Sequence, residues 1–491
     1  MTTTELHRLA AQTLMAAFDG PALPDWARLR LAEGLGGICL FGGNAPDMKT
    51  VGILTAAIHA AALDAIVAVD EEGGDVTRLH YRVGSPHAGH AVLGAADDLD
   101  LTADVAREIG HQLRAVGVDL DFAPVADVNS NPLNPVIGVR SFGGDAGLVA
   151  RHTDAWVRGL QQTGVGACLK HFPGHGDTVT DSHVALPVVE APLAVLRDRE
   201  LVPFGAGVRA GAVAVMTSHV VLRALDPTRP ATFSPAAIAL LRSPASEGGL
   251  GFDGLLVSDA LEMRGASGDI GVPAAAVLAL RAGVDLLCLG SEFDDDRVQA
   301  AQEGIVDAVQ DGRLPLDRLA EAAGRVALAR RHLTALAADA SPVAGPLDAA
   351  GASDEAARRA ITVVGPLGAL THPQVLRLVT QANPAVGRAP WGLPAGGAVL
   401  RGEPTLDVRE ADPLPGLDSA RSVVALVRDG HRYAWVRDRL TALARARPDL
   451  VVVELGWPGP DRLPGRVMVT THGASTASAR ALDARLATAM S

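Results

Sequence analysis

Residues 170–183 carry the densest set of chemically active side chains in the sequence. The segment reads KHFPGHGDTVTDSH, with one lysine, three histidines and two aspartates around a proline and two glycines. So many charges beside Pro and Gly predict a loop, and their burial would be costly without a function. Asp181 lies two residues before His183 and can hold its imidazole, fix its tautomer and raise its pKa toward neutral pH. We therefore interpret this pair as an acid/base dyad.

Two other functions fit the same segment less well. A metal site is one alternative, and its ligands would be His171, His175, Asp177 and His183. No HExxH or comparable helical spacing is present, however, and a cationic lysine begins the segment. The GHGDT stretch also lacks the GK[ST] ending of a phosphate-binding loop. The sequence therefore predicts neither a metal nor a cofactor.

Polar residues also end a series of apolar segments. They are Asp70, Asp127, Lys170, His171, His219 and Asp259. In a (β/α)8 barrel the carboxyl ends of the strands form the active site, so we expect these side chains to meet in one pocket. Asp259 has no basic neighbour in sequence, and an ionised carboxylate opposite a protonatable group is the apparatus of retaining glycoside hydrolysis. Glu262 is predicted to lie in the first turn of a helix rather than to act as a second catalytic carboxylate.

The elements that must position these residues form a serial α/β repeat. Four glycines precede apolar runs, and they are Gly117, Gly164, Gly211 and Gly283. A glycine just past a helix adopts the left-handed cap, and the run after it suits a strand buried on both faces. Four further runs bring the count to eight strands, with a helix predicted over 102–116 between two of them. This pattern predicts a (β/α)8 TIM-type barrel, with an open doubly wound sheet as the alternative.

A second, smaller α/β domain is predicted to follow the barrel. From about residue 338 the composition changes to Ala, Pro, Gly and Asp, which is typical of a linker. Beyond it, five apolar runs from ITVVG to RVMVTTHG alternate with helical stretches such as 433–447. These features predict a catalytic barrel over 1–337, a linker over 338–355 and an α/β three-layer sandwich over 356–491.

Composition excludes several classes of protein. With 48% apolar and 20% charged residues the chain can bury a large core, and its net charge of -13 offers no basic face to nucleic acid. The N-terminal sequence and the lack of a long apolar run predict a cytoplasmic protein without membrane insertion.

The three cysteines fall in predicted barrel strands, where we expect buried free thiols. Only Lys49 and Lys170 are lysines, so Lys170 is expected to be a compact donor that a planar guanidinium cannot replace.

Taken together, the motifs resemble glycoside hydrolase family 3, in the two-domain form of its β-N-acetylglucosaminidase (β-N-acetylhexosaminidase) branch. KHFPGHGDTVTDSH matches the signature of that branch at every fixed position. VDEEGGDVTRL, DFAPVADV, IGVRSFGGD and VSDALEM are similar to further family segments. Glu71 replaces the usual glutamine and Asp75 the usual arginine of the glycine-rich segment. The family assigns sugar contact to neither position, so these departures concern the charge at the rim of the site.

The resemblance implies a role for each matched residue. Asp259 would be the nucleophile and His183 the general acid/base, with Asp181 as the partner of His183. The residues expected to bind the sugar are Asp70, Arg78, Arg140, Lys170 and His171. Three asparagines in the loop before Arg140 predict a hydrogen-bonded turn, and they are Asn129, Asn131 and Asn134.

The function that the resemblance implies is a retaining exo-β-N-acetylglucosaminidase. It would remove terminal N-acetylglucosamine from muropeptide or amino-sugar fragments in cell-wall recycling, through a glycosyl-enzyme intermediate. A neutral imidazole does not repel an anion as a carboxylate would, so a phosphorylase that uses inorganic phosphate is an alternative, as is a β-glucosidase of the same family. A non-catalytic sugar sensor would have lost Asp259 or the dyad, whereas a barrel metallohydrolase would be inactivated by chelators.

Overall fold

Eight short parallel strands follow one another around a barrel in the first part of the chain. The structure is a computed structural model that describes residues 2–180, 186–268, 270–291, 294–340, 350–381, 383, 385–387 and 389–490. The barrel strands are β1 (Leu14–Ala16), β2 (Gly37–Leu40), β3 (Ile66–Val69), β4 (Leu120–Asp121), β5 (Gly166–Phe172), β6 (Ala214–Thr217), β7 (Leu255–Val257) and β8 (Leu287–Cys288).

The barrel is nearly closed. Each strand pairs in parallel with the next from β1 to β7, and β8 pairs with β1. A single parallel bridge between Val257 and Leu286 joins the two remaining edges. All eight strands coincide with the apolar runs in the sequence, so the predicted barrel is confirmed and the open doubly wound sheet is wrong.

Helices cover the outside of the barrel. Their bounds are Thr3–Gln12, Asp25–Ala32, Met48–Ala61, His90–Ala96, Leu99–Ala115, Ala146–Gln161, Leu201–Arg209, Pro235–Arg242, Val272–Ala282, Asp295–Gln310 and Leu316–Asp339. The helix predicted over 102–116 is Leu99–Ala115, and it buries Val105, Ile109 and Leu113 against the strands. Gly117 follows it with a φ of 75°, which permits the sharp entry into β4.

Strand side chains alternate between the barrel interior and the layer beneath the helices. The interior includes Met15, Ile66 and Phe122, together with all three cysteines. Cys39, Cys168 and Cys288 are buried and carry free thiols, as predicted.

No helix in the described ranges is both long and apolar enough to cross a membrane.

A second sheet of six strands forms after the barrel. Its strands are β9 (Thr362–Val364), β10 (Gln374–Leu378), β11 (Leu406–Val408), β12 (Val423–Val427), β13 (Val451–Glu454) and β14 (Val467–Thr470), arranged in the order β9-β14-β13-β12-β10-β11. Only β9 runs antiparallel to its neighbour. Helix Ala434–Ala446 packs on one face and helix Thr476–Ala487 on the other, which confirms the predicted three-layer α/β unit.

The region between the two units contains a further helix. Gly351–Ala360 packs against barrel helices His90–Ala96 and Leu99–Ala115 and against Thr476–Ala487. Residues 341–349 of the predicted linker lie outside the described residues. The domain limits at 337/338 and 355/356 stay predictions.

The carboxyl ends of the second sheet face the carboxyl ends of the barrel strands. Arg428, just after β12, forms an ion pair with Asp75 in the loop after β3. Asn383 Nδ2 donates to the carbonyl oxygens of Pro135 and Val136 at 3.1 and 2.9 Å. The loops that carry the candidate site are therefore held from both sides.

Candidate active site

A cavity of about 440 Å³ opens at the carboxyl end of the barrel. Six of the residues predicted from the sequence line it together, and they are Asp70, Arg78, Arg140, Lys170, His171 and Asp259. The other two predicted residues, Asp181 and His183, lie outside the described residues. Asp127 and His219 follow β4 and β6 but stand behind the wall rather than in it, so the expectation that all of the predicted strand-end side chains meet in one pocket is wrong for these two.

Lys170 is the centre of the charged side of the cavity. Its Nζ lies 2.6 Å from Asp70 Oδ1 and 2.6 Å from Glu72 Oε1, and its side chain is 1% exposed. Burial would lower the pKa of Lys170, but the two carboxylates outweigh burial and raise it. Burial likewise opposes the ionisation of Asp70, yet Lys170 and Arg78 hold the pKa of Asp70 below its usual range. All of these groups are therefore charged at neutral pH.

Arg140 completes the charged cluster from the opposite side of Glu72. Its Nε and Nη2 donate to the two oxygens of Glu72 at 2.9 and 2.7 Å. This bidentate geometry is the strong form of an arginine–carboxylate contact. Although burial opposes ionisation, Arg140 and Lys170 hold the pKa of Glu72 well below its usual range.

The loop before Arg140 is a hydrogen-bonded turn, as predicted. Asn134 Oδ1 accepts from the N–H groups of Val136 and Ile137 at 2.9 and 2.8 Å, and Asn134 Nδ2 donates to the carbonyl of His175 at 2.8 Å. Asn129 Oδ1 accepts from Gly138 N at 3.2 Å. These contacts fix the one-turn 3-10 helix that carries Arg140.

Asp127 orients two histidines, one in β5 and one in the loop after it. Its Oδ2 lies 2.7 Å from His171 Nδ1, and its Oδ1 accepts from His175 N at 2.7 Å. Arg140 Nη2 lies 3.3 Å from His171 Nε2, which assigns the proton of a neutral His171 ring to Nδ1. Burial lowers the pKa of His175 to about 4, so this ring is neutral in the cavity wall.

Asp259 follows β7 on the opposite side of the cavity. Its Oδ1 accepts from Ala260 N at 2.8 Å, while His219 Nε2 lies 3.0 Å from Ala260 O. His219 thereby positions the backbone beside Asp259. Glu262 also lines the cavity, where its Oε1 accepts from Ser291 N at 2.6 Å. It lies in a turn, so the prediction of a first helical turn is wrong; the next helix begins only at Val272.

The second domain supplies part of the wall. Arg78 lies 3.6 Å from Asp70 and donates through both Nη atoms to the carbonyl of Ala385 at 3.2 Å. Ala385 and Gly387 line the cavity. The cavity is thus completed by residues more than 300 positions away in the sequence.

The two departures from the family pattern have structural explanations. Glu71 is fully buried, and its Oε2 accepts from the N–H groups of Arg78 and Leu79 at 2.7 and 2.9 Å. Asp75 pairs with Arg428 and accepts from Ala474 N at 2.7 Å. Glu71 therefore shapes the loop behind the cavity, and Asp75 joins the two domains.

Comparison with known protein families identifies the barrel that carries these groups. The profile of the Glycosyl hydrolase family 3 N terminal domain matches residues 26–329, which include β2 to β8. The chain belongs to glycoside hydrolase family 3.

Relatives in family 3 align with different fractions of the length of this chain. Beta-hexosaminidase A of Pseudoalteromonas piscicida is 33% identical over 337 residues, which are 63% of this chain and 55% of that protein. A Beta-hexosaminidase of Stenotrophomonas maltophilia (strain K279a) is 38% identical over 286 residues, or 57% of this chain and 82% of its own. A solved glycoside hydrolase family 3 beta-N-acetylglucosaminidase from Paenibacillus sp. str. FPU-7 has a TM-score of 0.85 and 32% identity, covering 99% of this chain and 97% of that one.

Sequence reasoning missed two charged residues of this family 3 site. Glu72 is a partner of both Lys170 and Arg140, and Asp127 was noted only as a strand-end residue although it holds His171 and His175. Both are buried carboxylates, and a buried carboxylate needs cationic or N–H partners. In the described ranges no three histidine, cysteine or carboxylate side chains are grouped as metal ligands would be.

Glu200 is expected to make the stability of this family 3 barrel depend on pH. Its side chain is buried beneath Gly174, with Arg199 Nε donating to Oε1 at 2.6 Å, and burial raises its pKa to about 7. Protonated Glu200 stabilises the folded state fully below pH 4.5, the pKa of this group in the unfolded chain. The stabilisation is lost as pH rises through 7, and the free energy of unfolding then falls by on the order of 3 kcal/mol.

We expect Glu200→Gln to raise the melting temperature more at pH 8 than at pH 5, measured by calorimetry.

The control for this prediction is Glu247→Gln, which changes an exposed glutamate. Its effect on the melting temperature should be small at both pH values. A Glu200→Gln shift of equal size at pH 5 and pH 8 would contradict the assignment of a raised pKa.

Proposed function

We propose that the protein is a retaining exo-β-N-acetylglucosaminidase that removes terminal N-acetylglucosamine through a glycosyl-enzyme intermediate. The observation that carries the proposal is the cavity in which Asp259 faces the buried cluster around Lys170. A space of about 440 Å³ suits one sugar ring with its substituents rather than a polymer segment. The names of the hexosaminidase and N-acetylglucosaminidase relatives support the choice of an N-acetylated sugar.

The charged cluster would hold the hydroxyl groups of the terminal sugar. An ammonium group has three N–H donors, and Lys170 commits two of them to Asp70 and Glu72. The third is available to a sugar oxygen. Asp70, ionised by its cationic neighbours, accepts a hydroxyl proton, while Arg78 and His171 extend the same wall. Contacts of this charge-assisted kind are about twice as strong as neutral ones.

The chemistry would take place between this cluster and Asp259. Asp259 attacks the anomeric carbon and forms a glycosyl ester, while His183, oriented by Asp181, protonates the departing oxygen. His183 then removes a proton from water, which attacks the anomeric carbon, displaces the Asp259 carboxylate and releases the sugar with its β configuration retained. The roles of Asp259, Asp181 and His183 are carried over from the family signature. The position of Asp259 in the cavity wall supports its role.

His183→Ala is expected to affect substrates according to their leaving groups. A poor leaving group such as a sugar hydroxyl needs protonation, worth about 10²–10⁴-fold, whereas a nitrophenolate needs little. We expect kcat/KM to fall by about 10²-fold or more on N,N′-diacetylchitobiose and much less on 4-nitrophenyl N-acetyl-β-glucosaminide. Equal losses on the two substrates would remove His183 from the acid/base role. His332→Ala, a change outside the cavity, serves as the control.

The experiment that tests the proposed function is a panel of aryl glycosides. Nitrophenyl β-glucoside, N-acetyl-β-glucosaminide and N-acetyl-β-galactosaminide are compared in buffers with and without 10 mM inorganic phosphate. Preferential release from the N-acetylglucosaminide as free sugar supports the proposal. Preference for the glucoside would favour a β-glucosidase, and N-acetylglucosamine 1-phosphate as the product would favour a phosphorylase.

The proposed natural substrates are muropeptide or amino-sugar fragments released in cell-wall recycling. A cavity that holds one terminal sugar leaves the rest of such a fragment outside it. The cytoplasmic location stays a prediction.

A further inference from the structure

A second cavity, of about 320 Å³, lies between the barrel and the second domain. On the second-domain side it is lined by residues that follow β10, such as Thr380, and residues that follow β12, such as Asp429. These two strands are parallel neighbours, but the chain continues from β10 to β11 on one side and from β12 to β13 on the other. Ligands of open α/β sheets bind at such a reversal, outside the carboxyl ends of the strands.

Guanidinium groups dominate the polar lining of this cavity. Arg377 donates to Asp407 through both Nε and Nη2, at 2.8 and 2.9 Å. Arg428 donates to Asp75 through Nη2 alone. Arg432 is half-buried, and its one side-chain hydrogen bond among the described residues is a long one, 3.5 Å to Pro135 O. A guanidinium group has five N–H donors. Arg428 and Arg432 therefore retain donors for a ligand.

Asp429, one of two acidic residues in the lining of this cavity, is tied into the backbone. Asp429 has a φ of 51°, an uncommon value for a residue other than glycine, and its Oδ1 accepts from Trp457 N at 2.8 Å. Buried Glu454 accepts from the N–H groups of Asp429 and Gly430 at 2.8 and 2.9 Å and from Gly456 at 2.6 Å. These bonds fix the loop that carries Arg428 and Arg432. A site fixed in advance loses less entropy when a ligand binds.

The second cavity adjoins the proposed sugar cavity. Val136, Arg140 and Gly387 line both of them. The shared wall is the turn held by Asn134 on the barrel side and by Asn383 from the second domain. A group attached to a sugar in the first cavity would therefore lie at the border of the second.

We propose that the second cavity binds the aglycone of the substrate and selects one that carries a carboxylate. The inference rests on the proposed function, because it assigns the remainder of the same substrate. Arg432 would bind the carboxylate, and Arg428 would assist it. The planar guanidinium fork matches the two oxygens of a carboxylate.

The test compares two substrates that differ only at the end of the aglycone. N,N′-diacetylchitobionate carries a terminal carboxylate, and N,N′-diacetylchitobiitol carries a hydroxymethyl group in its place. Release of N-acetylglucosamine from each is measured for the full chain, with 4-nitrophenyl N-acetyl-β-glucosaminide as the common reference. We expect wild type to favour the acid by about tenfold in kcat/KM, the value of one hydrogen bond to a charged group. The preference should fall as salt is raised.

Arg432→Met is the test variant, and Arg437→Met is its matched control. Arg437 lies on the helix that follows Arg432 and is exposed outside the cavity, so its replacement removes the same charge. We expect the acid-to-neutral ratio to approach one in Arg432→Met and to persist in Arg437→Met. A wild-type ratio near one, or an equal drop in the two variants, would overturn the inference. Failure of wild type on the aryl reference would instead refute the proposed function.

Discussion

Replacement of Asp259 by asparagine is expected to lower kcat on 4-nitrophenyl N-acetyl-β-glucosaminide by about 10⁴-fold or more. Such a loss corresponds to about 5 kcal/mol in the activation barrier. The proposed reaction needs an anionic oxygen to form the glycosyl ester, and the amide has none. The asparagine oxygen can still accept from Ala260 N, as Asp259 Oδ1 does at 2.8 Å, so the local backbone should be retained. Initial rates and thermal melting together measure both effects.

A companion variant separates loss of the nucleophile from loss of structure. Asp259→Ala leaves space for a small anion, and azide should restore turnover of the aryl substrate. The product should then be the α-configured glycosyl azide, because azide attacks from the side that Asp259 occupied. Full activity in Asp259→Asn, or a β-configured azide product, would contradict the nucleophilic role.

Replacement of Lys170 by methionine is expected to damage both stability and substrate binding. The ammonium group is buried and lies 2.6 Å from each of two carboxylates. Breaking a buried ion pair by removing one partner costs about 3–5 kcal/mol of unfolding free energy. The proposed sugar contact is lost as well, so kcat/KM should fall by about 10²-fold or more. Urea unfolding and aryl-glycoside kinetics provide the two measurements.

The chain contains a matched control for this prediction. Lys49, the other lysine, is exposed at the start of helix Met48–Ala61, so Lys49→Met removes the same charge from the surface. It should change unfolding by less than about 0.5 kcal/mol. Lys170→Arg should also be impaired, since a buried planar guanidinium cannot take the place of the compact ammonium. Wild-type kinetics in Lys170→Arg would show that only charge matters at this position.

The barrel could be predicted because its strands are encoded locally. Each strand is an apolar run, several follow a glycine such as Gly117 or Gly283, and polar residues such as Asp70 mark the ends of runs. By contrast, β11 was missed because it is a three-residue edge strand in which only Val408 is buried. Such a short, half-exposed segment has no pattern that distinguishes it from a loop.

The counter-charges of the site were harder to predict than its cations. Lys170 is conspicuous because lysine is rare in this chain, whereas Glu72 is one of two adjacent glutamates, and the sequence does not indicate which of them faces the cavity. The structure assigns Glu72 to Lys170 and Arg140, and it assigns Glu71 to backbone N–H groups. Contacts between the domains, such as Arg78 with Ala385, depend on tertiary packing and have no local signal.

The opposed carboxyl edges of the two sheets have an evolutionary consequence. Loops at these edges tolerate substitution and insertion because the strands behind them are already paired. Here the loops of two independently packed sheets border two adjoining cavities, so changes in either domain can alter which substrates fit. A lineage with this architecture can diversify its choice of aglycone through the second domain while the barrel retains the residues proposed for bond cleavage.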